Sequence, residues 1–143
     1  MQYDNKISII LDAISENEAF ARVSVSAFAT QLNPTLEQLD DIKMAISEAV
    51  TNAIIHGYDG MEDGQVYINC KIAKDTLYIE IEDKGKGIEN IEKAMEPLYT
   101  SKPEMERSGM GFTVMEAFMD NIKVISEIGK GTKIYLEKKI NKN

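Results

Sequence analysis

The sequence predicts an α+β fold, a two-layer α/β sandwich in which a mixed, mostly antiparallel sheet carries helices on one face. Two long segments with apolar residues at helical spacing precede most of the segments that alternate like strands. Two of those alternating segments adjoin each other across a short polar turn, as in an antiparallel hairpin. The 143 residues, 43% of them hydrophobic, suffice for one core, so a single domain spanning 1–143 is expected.

The first part of the chain is predicted to form a strand and a helix. Apolar residues alternate from Ile7 to Leu11, which is typical of a strand with one buried face. Ser15 and Glu18 have the spacing of a capping box, so a helix should begin there. It should end near Asn33, because the residue before a proline is disfavoured in helical conformation.

A second helix is predicted to follow directly. Thr35 is expected to cap its beginning, and apolar residues recur at helical spacing from Leu36 to Ile54. The helix should stop at His56, where Gly57 is expected to adopt the left-handed conformation of a C-terminal cap.

The second half of the chain is predicted to hold four strands, two helices and a lid. Residues 66–72 and 77–81 form the hairpin, a glycine-bearing loop follows Asp83, and a short helix covers residues 91–95. The irregular stretch PLYTSKPEMERSG is a candidate lid. A helix over about 110–119 and strands over 122–126 and 133–137 complete the sheet.

Composition and charge exclude several classes of protein. The chain has 16 Lys and Arg against 24 Asp and Glu, and a net charge of −8 repels a nucleic-acid backbone, so direct nucleic-acid binding is not expected. The single cysteine, Cys70, excludes an internal disulfide and a cysteine-based zinc site. Without a signal-like N-terminus or a run of roughly 18 apolar residues, we expect a cytoplasmic protein that does not enter a membrane.

Glu48 and Asn52 form the first chemical motif, within SEAVTNAIIHG. Four residues apart on a helix, they project from the same face, among apolar residues expected in the core. A carboxylate and an amide would therefore meet at the edge of a buried stripe. For an isolated pair of this kind an exposed helix face is the commoner explanation.

Asp83 begins the second motif, and Gly85 and Gly87 follow it in IEDKGKGI. The glycines permit positive φ and let backbone amides approach a ligand closely, although an Asp-led turn would have the same residues. The pattern is not the dinucleotide-binding fingerprint, because there the acid follows the glycines at about 20 residues.

The third motif is ERSGMGF, in which Gly109 and Gly111 open a helix directly after the candidate lid. Free N–H groups at a helix start attract phosphate, and Lys102 and Arg107 add positive charge. Glycine that eases the packing of the helix start is the alternative explanation.

The three motifs occur in the order E-x3-N, D-x-G-x-G and G-x-G, and this order resembles the Bergerat-fold (GHKL) ATPase and kinase superfamily. SEAVTNAIIHGY, PLYTSKPEMERSGMGFTVMEAFMD and GKGT make the chain most similar to one branch of it, the sporulation anti-sigma factors, which are serine kinases. The resemblance extends from Ile7 to about Ile140. It implies an ATP-binding fold and the cofactors ATP and Mg²⁺.

The resemblance also implies roles for individual residues. Glu48 matches the general base that deprotonates the attacking hydroxyl, and Asn52 matches the ligand of Mg²⁺. Asp83 matches the acid that accepts a hydrogen bond from the adenine amino group, and Gly85 and Gly87 match the loop beneath the purine.

Further nucleotide contacts are implied around these residues. Thr132 matches a threonine that supports the adenine contact, and the stretch at about 97–108 matches the ATP lid. The remaining nucleotide-binding positions lie in this lid or just after it: Thr100, Ser101, Lys102, Arg107, Ser108, Gly109 and Gly111.

The resemblance implies a homodimer that binds and inhibits a sigma factor of the sigma-F type and phosphorylates an anti-anti-sigma factor on serine. Arg22 matches a position that contacts both partners. The alternative is an ordinary arginine on an exposed helix face, with no role in partner binding. The only histidine, His56, is interpreted as a helix-end residue rather than a phosphoacceptor. Two alternatives stay open: a general-stress anti-sigma kinase of the same branch, and a binding module that holds nucleotide without phosphoryl transfer.

Overall fold

The computed structural model describes residues 2–59, 63–95 and 111–140. The strands are β1 (Asn5–Asp12), β2 (Gln65–Ala73), β3 (Thr76–Asp83), β4 (Asn121–Glu127) and β5 (Gly131–Lys139). The helices are α1 (Asn17–Ala29), α2 (Leu36–Asn52), α3 (Ile91–Ala94) and α4 (Gly111–Phe118). Every element expected from the sequence in these ranges is present, most of them with ends shifted by one to three residues.

The five strands form one sheet in the order β1-β2-β3-β5-β4. All four neighbouring pairs are antiparallel, so the α+β sandwich is confirmed and the sheet is purely antiparallel rather than mixed. Because β5 lies between β3 and β4, the end of β3 meets the start of β5. This register makes Asp83 and Thr132 direct cross-strand partners.

The core lies between the sheet and the helices. Alternate residues of the strands face α1 and α2, and the inward stripe of α2 is fully buried at Ile42, Ile46, Ala49 and Val50. Each of the buried isoleucine and valine side chains contributes roughly 1.5–3 kcal/mol through burial. The apolar residues of α1 divide between two faces, because Phe20 and Val23 are 57% and 60% exposed.

The beginning of α1 differs from the prediction. Glu16 is its N-cap residue and no side chain caps the helix, so the capping box expected from Ser15 and Glu18 is wrong. The Glu18 carboxylate instead forms an ion pair with Arg22, one turn further along the helix. After Ala29 the chain continues as a 3-10 turn, and Asn33 ends it at a φ of 53°.

The predicted cap at the start of α2 is confirmed, and the predicted cap at its end is wrong. Thr35 caps its beginning in a complete capping box with Gln38, which confirms the predicted cap. The helix itself ends at Asn52, and a π-helical turn, Ala53–Gly57, follows. Gly57 does not have a positive φ, so the predicted left-handed cap is wrong.

A buried lysine on β5, Lys138, joins the sheet to the helices α4 and α2. The Lys138 ammonium, on β5, donates a hydrogen bond of 2.6 Å to the carbonyl of Phe118, the last residue of α4. The same ammonium lies 3.6 Å from the Asp41 carboxylate on α2. A cation at a helix C-terminus complements the helix dipole, so this contact helps to hold α4 against α2.

Within the described ranges, no helix combines the length and the apolar character needed to cross a membrane. The predicted lid, residues 97–108, lies outside the described residues.

Candidate functional site

Asp83 lies at the centre of the candidate site, at the end of β3 and on the face of the sheet that carries the helices. Its side chain is 6% exposed. The backbone N–H groups of Gly85, at 3.0 Å, and Thr132 donate hydrogen bonds to the carboxyl group. Burial nevertheless raises the pKa of Asp83 to about 6, because desolvation outweighs these two bonds. With a pKa of about 6 the carboxyl group is mostly ionised at neutral pH, and an ionised carboxylate only accepts hydrogen bonds, so its ligand should be a donor.

Glycines allow three backbone segments to meet around this carboxyl group. Gly131 has a φ of +117°, and a side chain there would collide with the Asp83 carbonyl. A Cβ atom at Gly85 would collide with the carbonyl of Gly57. Gly87 has a φ of +80° and lies against the carbonyl of Glu127. The loop after β3 is therefore pressed between the end of α2 and the β4–β5 turn.

Two hydroxyl groups form a pair next to Asp83. The oxygens of Ser126 and Thr132 are hydrogen-bonded at 2.7 Å, and these residues are cross-strand partners in β4 and β5. The Ser126 hydroxyl also accepts a bond from the backbone N–H of Ile88, at 2.7 Å. Ser126 was not predicted as a site residue. In a hairpin centred on Gly129 it lies opposite Thr132, and that relation would have indicated it.

Glu48 and Asn52 lie one turn apart on α2, as the spacing predicts, and both side chains are half-buried. The Asn52 amide nitrogen is fully buried and has no hydrogen-bond partner in the described part of the chain. A bound ligand would supply the hydrogen-bond acceptor that this amide nitrogen lacks. The amide oxygen of the same side chain is suited to bind Mg²⁺.

A divalent ion at Asn52 would depend on other sources for the rest of its ligands. Within residues 2–59, 63–95 and 111–140, no three His, Cys, Asp or Glu side chains form a metal-binding group. Mg²⁺ commonly keeps several waters and binds substrate phosphates besides one or two protein ligands, so the arrangement fits that mode.

The π-helical turn carries the chain from Asn52 to the Asp83 carboxyl group. Gly57, at the end of the turn, accepts a hydrogen bond of 2.8 Å from the backbone N–H of Lys86. The next residue, Tyr58, is buried, and its hydroxyl accepts a bond of 2.7 Å from the N–H of Lys84. Sequence reasoning missed both roles, because Tyr58 and its partner are separated by 26 residues.

Two of the remaining predicted site residues, Arg22 and Gly111, lie within the described ranges. Arg22 lies on α1, where its Nε is 3.1 Å from the Glu18 carboxylate and its side chain is 40% exposed. Gly111 begins α4, the helix that packs against α2. The others lie outside the described residues: Thr100, Ser101, Lys102, Arg107, Ser108 and Gly109.

The sequence matches a known family over most of its length and is similar to several named proteins. The family model described as "Histidine kinase-like ATPase domain" matches residues 13–138. The anti-sigma F factor of Clostridium acetobutylicum is 65% identical over 137 residues, covering 95% of this chain and 94% of that protein. The anti-sigma F factor of Clostridium beijerinckii is 62% identical over 138 residues, covering 96% of each. That of Oceanobacillus iheyensis is 54% identical over 139 residues, covering 97% and 95%.

Solved structures support the fold. The RsbU and RsbW domains of Rv1364c from Mycobacterium tuberculosis align with a TM-score of 0.70 at 19% identity, covering 98% of this chain and 34% of that one. The catalytic domain of histidine kinase ThkA aligns with a TM-score of 0.58 at 16% identity, covering 96% and 97%. At these identities the likeness concerns the fold alone. The family match over residues 13–138 and the near full-length relatives together show that the chain belongs to the histidine kinase-like ATPase family, among the anti-sigma F factors.

Proposed function

We propose that the chain is an anti-sigma factor that binds and inhibits a sigma factor of the sigma-F type and also acts as an ATP-dependent protein serine kinase. Its protein substrate is the anti-anti-sigma factor, which phosphorylation inactivates. The observation that supports this most directly is the name anti-sigma F factor, borne by relatives that are 54% to 65% identical over nearly the whole chain.

The cluster around Asp83 supports the proposed nucleotide site. Its buried carboxyl group is an acceptor suited to the amino group of adenine, and the backbone N–H of Gly85 holds that carboxyl group at 3.0 Å. The paired hydroxyls of Ser126 and Thr132 hold the far side of this loop through Ile88. Specificity for the base therefore depends mainly on one carboxyl group.

The phosphoryl-transfer end lies on α2. Asn52, at the end of the helix, would hold Mg²⁺ through its amide oxygen, and the ion would neutralise phosphate charge when it is bound with the nucleotide. Glu48, one turn earlier and half-buried, accepts the proton of the attacking serine hydroxyl. The lid at 97–108, with Arg107, would close over the phosphates and exclude water that competes with the serine.

Partner binding involves α1. Arg22 is exposed enough to exchange its ion pair with Glu18 for a carboxylate on a sigma factor or on the anti-anti-sigma substrate. Surface ion pairs of this kind contribute little to stability, so such an exchange costs little. The exposed Phe20 and Val23 on the same helix provide apolar surface for the proposed homodimer or for a partner.

Replacement of the general base tests the kinase function. Glu48→Gln should lower phosphate transfer to the anti-anti-sigma factor by about 10²-fold or more, because a positioned general base contributes about that much. Nucleotide binding should be retained. The control is Glu37→Gln, since Glu37 is exposed in the first turn of the same helix. Transfer that is unchanged in Glu48→Gln would exclude the assigned base.

Replacement of the metal ligand tests the other end of the site. Asn52→Ala should weaken nucleotide binding in the presence of magnesium and have a smaller effect in the presence of a chelator. Calorimetric titration with and without Mg²⁺ measures the difference. If the variant binds ATP and Mg²⁺ as tightly as the parent, the magnesium assignment is wrong.

One mixing experiment separates the partner alternatives. The protein is incubated with labelled ATP, Mg²⁺ and the sigma and anti-anti-sigma proteins of the sporulation and general-stress systems. Retention of sigma-F and label on a serine of its anti-anti-sigma factor are expected. Retention without any label would indicate a non-catalytic binding module, and label on the general-stress substrate alone would indicate the other branch.

A further inference from the structure

Gly57 and Tyr58 connect the end of α2 to the loop that follows β3. We propose that they are positioning residues that set the direction of the Asp83 carboxyl group and thereby determine the preference for adenine over guanine. This inference rests on the proposed nucleotide site, and it assigns to it two residues that contact Asp83 or its loop rather than the nucleotide.

Gly57 is held against the Asp83 side chain. A Cβ atom at this position would lie 2.7 Å from the Cγ and Oδ1 atoms of Asp83 and 2.8 Å from its Oδ2. Its φ is not positive, so the reason for glycine here is close approach and not backbone strain. The glycine backbone therefore covers one side of the carboxyl group and limits the rotation of its oxygens.

Tyr58 holds the backbone that carries Asp83. Its hydroxyl accepts a hydrogen bond from the N–H of Lys84 and donates one of 2.5 Å to the carbonyl of Gln65, at the start of β2. The ring lies against Gly64, where a Cβ atom would come within 2.5 Å of it. Both the hydroxyl and the ring of Tyr58 are thus fixed.

Gly57 and Tyr58 bind two of three successive amides of the loop, and Asp83 binds the amide between them. The N–H of Lys84 donates to the Tyr58 hydroxyl, that of Gly85 to the Asp83 carboxylate, and that of Lys86 to the Gly57 carbonyl. The end of α2 therefore fixes the loop on both sides of the carboxyl group. Because Asn52 directly precedes the same π-helical turn, the turn also links this end of the site to the proposed magnesium ligand.

The direction of the carboxyl group matters because the two purines differ at the atom it would face. Adenine presents an amino donor there, whereas guanine presents a carbonyl oxygen, which a carboxylate repels. A hydrogen bond weakens steeply as its geometry departs from linear. A carboxyl group that shifts or rotates should therefore lose affinity for ATP and leave the weak affinity for GTP nearly unchanged.

The test compares the affinities for ATP and GTP, with Mg²⁺, in Tyr58→Phe and Gly57→Ala. We expect each variant to bind ATP about tenfold more weakly and GTP within about twofold of the parent, the size expected for one misaligned hydrogen bond to a charged group. Tyr78→Phe is the matched control, because Tyr78 lies on β3 with Asp83 but on the opposite face of the sheet. It should leave the ratio of the two affinities unchanged.

A purely structural role for the two residues would lower both affinities equally, and that result would overturn the inference. Unchanged affinities in both variants would overturn it as well. If Tyr58→Phe does not fold, Gly57→Ala decides the question, since alanine fits a helical backbone and its Cβ would displace only the Asp83 side chain.

The Asp83→Asn variant distinguishes this inference from the proposed site. It should lose the preference for ATP, and Gly57→Ala added to it should cause no further change in the ratio of affinities. A further loss in the double variant would show that Gly57 acts independently of Asp83. If Asp83→Asn itself retains the preference, the proposed adenine contact is wrong and the inference that depends on it is wrong with it.

Discussion

At the residue scale, burial of the Asp83 carboxyl group makes the stability of the protein depend on pH. Desolvation raises its pKa from 3.8 to about 6 in the folded state. Between these values the folded protein holds a proton that the unfolded chain has released, so the free energy of unfolding should fall as the pH rises. The stabilising contribution is complete below about pH 4 and lost above about pH 6.

This effect can be measured by urea unfolding of the parent and of Asp83→Asn at several pH values from 4 to 7. The difference in unfolding free energy between the two proteins should change in favour of the variant by on the order of 2 kcal/mol across this range. Other titrating groups act on both proteins and cancel in the comparison. A difference that is constant with pH would contradict the burial of an ionisable Asp83.

At the element scale, the two helices of the first half differ in how they begin. Thr35→Ala removes the acceptor for the N–H of Gln38 at the start of α2 and should lower the unfolding free energy by about 1 kcal/mol. Ser15→Ala should change it by less than about 0.5 kcal/mol, because no side chain caps α1. Denaturant unfolding of the two variants provides a matched comparison. Equal losses would show that Ser15 caps α1 in solution.

The end of α2 shows why an element cannot be interpreted from its own sequence alone. Glycine after a long helical segment is typical of a left-handed cap, and His56-Gly57 has that form. The structure instead places Gly57 against Asp83, 26 residues further along the chain, where a Cβ atom would displace the Asp83 carboxyl group. The residue type was therefore interpreted correctly as a special backbone position, but for the wrong reason.

At the scale of the whole molecule, Cys70 reports on the opening of the sheet. It lies fully buried on β2, between Ile7 of β1 and Ile79 of β3, and burial raises the pKa of its thiol to about 12. The thiol should therefore react with a disulfide reagent at pH 8 at least about 10³-fold more slowly than in urea, since ordinary domain stability limits opening to that degree. Rapid reaction in the folded protein would show that β1 or β3 detaches locally.

The arrangement of the sheet explains how much of the site could be predicted. Asp83, Gly85 and Gly87 were found because they are close in sequence, and Glu48 and Asn52 because helical periodicity relates them. Thr132 was assigned from the family resemblance, and the register of β3 with β5 places it beside Asp83. Ser126 could have been found from the hairpin of β4 and β5, which is also a local relationship.

The sequence by itself determined the strands, the helices, the family and the residue types of the site, because periodicity, turn residues and short motifs all act over a few neighbouring positions. The tertiary structure alone decided that the sheet is wholly antiparallel, that α2 ends in a π-helical turn, and that Gly57 and Tyr58 hold the Asp83 loop. The physical reason is distance along the chain. Hydrogen bonds and close contacts between residues 26 positions apart depend on how the helix and the sheet pack, and no local pattern encodes them.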